Sequence, residues 1–145
     1  MTARDLAVAG AALLGRIEGP VIVVAPRVPG LDPALRMRVA GAGDAAAAAM
    51  VVFLWEPADA IARSAVLKRL RDRLSVGAPV VVVDHNQPRR LWRRVLGAAT
   101  LAARGVAPGR ARYRVARELA AAGFTVERLR LLDGERVQCI RAVRA

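Results

Sequence analysis

Two stretches decide the fold: Met50-Val51-Val52-Phe53-Leu54-Trp55-Glu56-Pro57 and Pro79-Val80-Val81-Val82-Val83-Asp84-His85. Each is an unbroken apolar run that ends abruptly in polar residues. A strand with one wet face alternates. A run that is apolar at every position suits a strand buried on both faces, as in a parallel sheet between helix layers. Between the two, Asp59 to Leu74 carries Ile61, Val66, Leu67, Leu70 and Leu74 at helical spacing, with Arg63, Lys68, Arg69, Arg71 and Arg73 among them. That pattern predicts an amphipathic helix, and Gly77 is placed to end it. Strand, helix, strand is a βαβ unit.

Further elements extend this unit in both directions. Val21-Ile22-Val23-Val24-Ala25 is a third buried run. Residues 3–17 precede it as a predicted helix with Leu6, Ala9, Leu13 and Ile17 near one face, stopped by Gly19-Pro20. Pro26, Pro29 and Gly30 make the following loop, Arg36 to Val39 reads as a short strand, and Ala45 to Ala49 is open between helix and spacer. On the C-terminal side, Arg90 to Arg104 predicts a helix with Leu91, Trp92, Val95, Leu96 and Leu101 as its apolar members. Ala111 to Ala122 predicts another, ended by Gly123. Phe124 to Leu132 and Arg136 to Val143 then form a hairpin around Asp133-Gly134, a strong turn signal.

The expected architecture is α/β with three layers: a mostly parallel sheet, a C-terminal antiparallel β-hairpin and one domain over residues 1–145. Only about 25 residues separate the first buried run from Met50. Two full βα units need roughly twice that, so the N-terminal βα units are reduced.

Composition narrows the function. The chain has 145 residues, 24 Lys and Arg against 12 Asp and Glu, and a net charge of +12. Its 55% apolar content excludes a disordered tail. One cysteine and one histidine exclude a disulfide framework, a cysteine zinc site and a multi-histidine metal site, so no metal is expected. No apolar run reaches the ~18 residues a membrane span needs. The Leu6 to Leu14 run lacks a convincing cleavage site after it, and a cytoplasmic protein is the default.

The charge is concentrated. His85 to Arg117 contains nine arginines and no acid, while the rest holds 15 basic and 12 acidic residues. Two readings stand. One is a solvated arginine-rich helical pair. The other is a surface facing an anion, whether an acidic partner, nucleic acid, phosphorylated metabolite or anionic membrane. Arg89, Arg90, Arg93, Arg94, Arg110 and Arg112 are the candidate anion-binding residues. Trp92 and Tyr113 lie among the arginines, either as stacking platforms or packed inward. Cys139, in an apolar strand, reads as a small buried hydrophobe.

From residue 50 onward the chain resembles the C-terminal half of class I S-adenosylmethionine-dependent methyltransferases, over roughly 95 residues. Val51 to Glu56 is a strand ending in a polar loop. Leu70-Arg71-Asp72-Arg73-Leu74-Ser75-Val76-Gly77-Ala78-Pro79 resembles the family's helix-to-strand crossover, with Val76-Gly77-Ala78-Pro79 in place of its usual L-x-P-G-G. Arg117-Glu118-Leu119-Ala120-Ala121-Ala122-Gly123-Phe124-Thr125-Val126 resembles its entry into the closing hairpin. The resemblance implies a Rossmann-like fold, S-adenosylmethionine as cofactor and an acceptor that it does not specify.

The N-terminal half departs from that family. The family's first strand leads into a D/E-x-G-x-G-x-G loop, whose glycines let the backbone approach the cofactor. Here Ala25-Pro26-Arg27-Val28-Pro29-Gly30 keeps one glycine, adds two prolines and carries a cation. Gly43-Asp44-Ala45 resembles the element whose acid contacts the adenine. Ala25, Arg27, Gly30, Asp44 and Trp55 are the cofactor-side positions this implies.

Ligands in open α/β sheets bind at the C-terminal ends of parallel strands. Asp84 and His85 are the acid/base candidates there, and Glu56 is the candidate for orienting an acceptor. The alternatives are that Asp84 caps a turn, His85 is solvated and Glu56 precedes a proline turn. Three functions follow: a minimal methyltransferase; a catalytically silent relative acting as a binding module or homodimer through an exposed sheet edge; and an arginine-rich anion- or nucleic-acid-binding domain.

Overall fold

The computed structural model describes residues 3–24, 45–52, 60–103 and 114–145. In chain order the elements are α1 (Ala3–Leu14), β1 (Val21–Val24), β2 (Ala48–Val52), α2 (Ala60–Arg73), β3 (Pro79–His85), α3 (Leu91–Ala102), α4 (Arg114–Ala121), β4 (Phe124–Leu132) and β5 (Val137–Arg144). The strands form one sheet in the order β1-β2-β3-β5-β4. β1, β2 and β3 are parallel, while β5 runs antiparallel to β3 and β4 antiparallel to β5. This is the mostly parallel sheet with a C-terminal hairpin that the apolar runs predict. The Arg36 to Val39 strand lies outside the described residues.

Helices cover both faces of the sheet. On one, Leu67 and Leu70 of α2, Leu74 just after it, and Val115 and Leu119 of α4 pack on Val51, Val80, Val82 and Ile140. On the other, Leu6, Leu13 and Leu14 of α1 pack on Met50, Val52, Val81, Val83 and Cys139. The period-two alternation of β3 divides its valines between the two cores. Gly10 brings α1 close to the sheet: a β-carbon there would lie 2.6 Å from the end of Met50 and 3.3 Å from Val83. Gly10→Val is therefore expected to overpack this face and cost about 1–3 kcal/mol, read by urea unfolding.

β2 starts at Ala48, two residues before the apolar run suggests. Ala48 pairs with Val21 and Ala49 with Val80, so neighbouring strands on both sides fix two residues of weak strand preference. In β4 the apolar positions Phe124, Val126, Leu129 and Leu131 skip one step, and the structure supplies the reason. Val126 pairs with Ala142 but Arg128 with Arg141, leaving Glu127 as a bulge. The bulge returns Leu129 to the face of Val126. Glu127 reaches Arg141 at 3.5 Å.

One predicted helix face is corrected, and a second is settled. In α2, Ile61 is 81% exposed, whereas Arg63 is 2% exposed and joins Leu67 and Leu70 on the buried side. The stripe is Arg63, Leu67, Leu70, Leu74, at steps of four, three and four. In α3, the large apolar residues Leu91, Trp92, Val95 and Leu96 are exposed rather than packed on the core. Gly97 is the buried position of that helix among the residues whose burial is described, and the side chain of Leu101 lies outside them.

Candidate functional site

The parallel pairing puts the ends of β1 at Val24, β2 at Val52 and β3 at His85 along one edge of the sheet. In sequence the three strands are followed by residues 25–44, 53–59 and 86–90, of which the structure describes the last. Ala25, Arg27, Gly30, Asp44, Trp55 and Glu56 lie outside the described residues, as do Arg110 and Arg112.

Asp84 and His85 adjoin in sequence, but their side chains leave opposite faces of the sheet. Asp84 follows Val80 and Val82 onto the face of α2 and α4, and strand alternation sends His85 to the opposite face, that of α1. Their carboxylate and imidazole therefore do not form a side-chain pair. Both oxygens of Asp84 are engaged. Oδ1 accepts the backbone N–H of His85 at 2.7 Å, and Oδ2 accepts Nη2 of Arg63 at 2.5 Å. Arg63 also donates Nη2 to Oε2 of Glu118 at 2.8 Å and Nε to the same carboxylate at 3.0 Å. Arg114, one turn before Glu118, donates Nε to its other oxygen at 2.7 Å.

Two cations and two carboxylates thus form a quartet beneath the C-terminal end of β3, with Arg63 and Asp84 buried and Arg114 and Glu118 partly buried, joining α2, α4 and the sheet. Burial works against the charge of Arg63, but Asp84 and Glu118 together outweigh it and raise its pKa above the usual arginine value. For Asp84 burial wins instead. It pushes the carboxyl up, Arg63 pulls it only part of the way back, Glu118 repels it, and the pKa stands at about 6. The asymmetry follows from the count of partners: Arg63 faces two carboxylates, Asp84 one guanidinium.

Arg63, Glu118 and Arg114 are the members that the sequence reading missed, and for the first two the pattern carries a signal. Each sits on an apolar stripe: Arg63 four residues before Leu67, Glu118 three after Val115 and one before Leu119. A charged residue at such a position signals a buried ion pair.

The β4–β5 turn closes the other side of this edge. Asp133, Gly134 and Glu135 all take positive φ, at 50°, 60° and 73°. The turn is therefore wider than a two-residue hairpin, and non-glycine residues there cost conformational energy. It anchors the segment after β3. Asn86 donates Nδ2 to the Glu135 carbonyl at 2.9 Å, and Arg89 donates its backbone N–H to the Glu135 carboxylate at 2.8 Å. Gln138, opposite Asp84 in register, donates Nε2 to the His85 carbonyl at 2.8 Å, while its Oε1 is buried without a partner.

Of the candidate anion-binding residues, Arg89 and Arg90 are exposed. Arg94 donates Nε to the Pro88 carbonyl at 2.9 Å, and Arg93 stacks over Trp92 at 5.0 Å. A cavity of about 240 Å³ lies between Trp92, Arg93, Asp133, Gly134 and Arg136. Cys139 is buried, and burial pushes its thiol up to about 11, the state of an inert hydrophobe. Among the described residues, no cluster of histidine, cysteine and acid is fit to hold a metal. No described helix is long and apolar enough to cross a membrane.

No family model and no curated protein matches the sequence. Solved structures do match the fold. The glycopeptide N-methyltransferase MtfA complexed with sinefungin aligns over 100% of this chain and 95% of its own, at 12% identity and a TM-score of 0.68. This is a class I methyltransferase-like fold. The N-methyltransferase NodS from Bradyrhizobium japonicum WM9 aligns over 97% of this chain and 93% of its own, at 12% identity and a TM-score of 0.64. The pyocyanin biosynthetic protein PhzM aligns over 86% of this chain at 21% identity and a TM-score of 0.58, and the chain spans 42% of its length. At these identities the likeness establishes the methyltransferase-like fold, in a reduced form.

Proposed function

We propose that this is a cytoplasmic methyltransferase-family protein that binds S-adenosylmethionine at the C-terminal edge of β1 and β2 and holds a methyl acceptor beside β3. The observation that carries the reading is the set of three parallel strands ending together and followed by an antiparallel hairpin. That arrangement extends through the whole chain when aligned with MtfA, whose structure is complexed with sinefungin. The bound cofactor would supply an electrophilic methyl group. The chain's own contribution is positional. Asp84 is a positioning residue, tied to Arg63 on one side and to the His85 backbone on the other. His85 is the candidate at this edge for taking a proton from the acceptor.

S-Adenosylhomocysteine and sinefungin are the probes. At about a hundred times the dissociation constant, binding to the folded state stabilises it by about 2.7 kcal/mol. For a chain of this size that raises the melting temperature by several degrees. An unchanged melting temperature and no heat of binding at millimolar ligand overturn the reading.

The second reading is a catalytically silent relative. It is favoured by the Ala25 to Gly30 segment, whose prolines and single glycine replace the family's glycine-rich loop. Ligand binding without turnover on any acceptor would support it.

A further inference from the structure

Helix α3 is inside out. A surface helix normally turns its apolar stripe to the core and its charges to water. Here Leu91, Trp92, Val95 and Leu96 lie at i, i+1, i+4 and i+5, and are 76%, 57%, 71% and 54% exposed. Ala99 and Ala102 continue the exposed strip along the same side. The polar residues lie toward the protein instead. Arg94 bonds the Pro88 carbonyl at 2.9 Å, and Arg93 reaches the Gly134 carbonyl at 3.4 Å. Exposed arginines 89 and 90 stand at the helix N-terminus beside the strip.

The surroundings add positive charge. The two acids that bound the acid-free stretch, Asp84 and Glu118, both face inward onto Arg63. The Glu135 carboxylate is bonded to the Arg89 backbone, leaving Asp133 as the exposed acid beside Trp92 and Arg93. A contiguous apolar strip with arginines beside it fits one surface chemically: a bilayer carrying anionic lipid. There apolar side chains enter the acyl boundary and guanidinium groups meet phosphates.

Two other occupants fit less well. A nucleic acid has phosphates for the arginines but nothing for Leu91, Val95 and Leu96. A second copy of the chain offers only a one-helix strip, against the ~20–30 residues per side of a stable pair.

We propose that α3 is an interfacial helix that docks the protein on an anionic membrane through Leu91, Trp92, Val95 and Leu96, with Arg89 and Arg90 at the headgroups.

The test is sedimentation of the full chain with vesicles of phosphatidylglycerol and phosphatidylcholine, or of phosphatidylcholine alone. Expected is binding to the anionic vesicles, at least tenfold weaker on the neutral ones, with a blue shift of tryptophan emission that Trp92→Leu removes. The pair Leu91→Ser and Val95→Ser leaves the net charge unchanged and alters exposed positions. It should lower binding at least tenfold without moving the melting temperature. Equal binding by that variant would mean adsorption by net charge alone and would overturn the proposal. So would absent vesicle binding alongside binding of a single-stranded oligonucleotide. A dimer in light scattering that the same variant splits would assign the strip to self-association instead. Should the serine pair fail to fold, quenching of Trp92 by bromine-labelled acyl chains decides, and its absence counts against insertion.

Discussion

Arg63→Met should destabilise the fold by about 3–5 kcal/mol, the usual cost of breaking a buried ion pair by removing one partner. Methionine matches the length of the arginine stem, so the loss comes from the charge and not from a cavity. Asp84 loses its one side-chain partner among the described residues, while Glu118 keeps Arg114. The cost therefore falls chiefly on Asp84. A second substitution, Asp84→Asn, in the Arg63→Met background should recover a large part of it, because the stranded carboxylate is gone. Unfolding in urea of the four members of this cycle gives the coupling directly. Additive effects, or a loss under 1 kcal/mol for Arg63→Met, would show that the quartet contributes no more than a surface pair.

The quartet also marks where the sequence stops being legible. The three apolar runs, the βαβ order and the hairpin follow from periodicity, because burial on both faces leaves no polar position in β2 or in β3 before Asp84. The bulge at Glu127 is not part of that reading: Val126 and Leu129 are three residues apart, a step that alternation alone does not produce, and the register shift between Val126 and Arg128 supplies its cause. Arg63 was misread because charge normally signals solvent, and Ile61 was misread by the same rule in reverse. What reverses them is tertiary. α4 brings Glu118 against α2 across 55 residues, and no local pattern encodes that meeting. For α3 the periodicity gives the apolar residues but not the side they face, and Trp92 stays open between a stacking platform and inward packing. The stripe is equally apolar either way, and Gly97 with the Pro88 contact sets the direction. At the candidate site, adjacency suggested an Asp84–His85 pair, whereas strand geometry places consecutive side chains on opposite faces.

Asp84 should make stability fall as pH rises through the mildly acidic range. Its carboxyl ionises in the fold at about 6 against an ordinary value of 3.8, so the native state holds this proton more tightly than the unfolded chain. By linkage, the contribution is fully present below pH 3.8 and is lost as pH climbs through about 6. The displacement corresponds to about 3 kcal/mol. Other groups titrate over the same range, so the readout is a difference. Wild type minus Asp84→Asn in unfolding free energy should decline by about that amount between pH 3.5 and pH 7. Gln138 lies opposite on the same face with an unsatisfied carbonyl oxygen, an acceptor within cross-strand reach of the protonated acid. The same logic couples this result to the first. Without Arg63 nothing pulls the carboxyl back down, so Arg63→Met should cost least at pH 5 and most above pH 7. A flat difference, or one that grows with pH, would mean that Arg63 overcomes burial and holds Asp84 ionised.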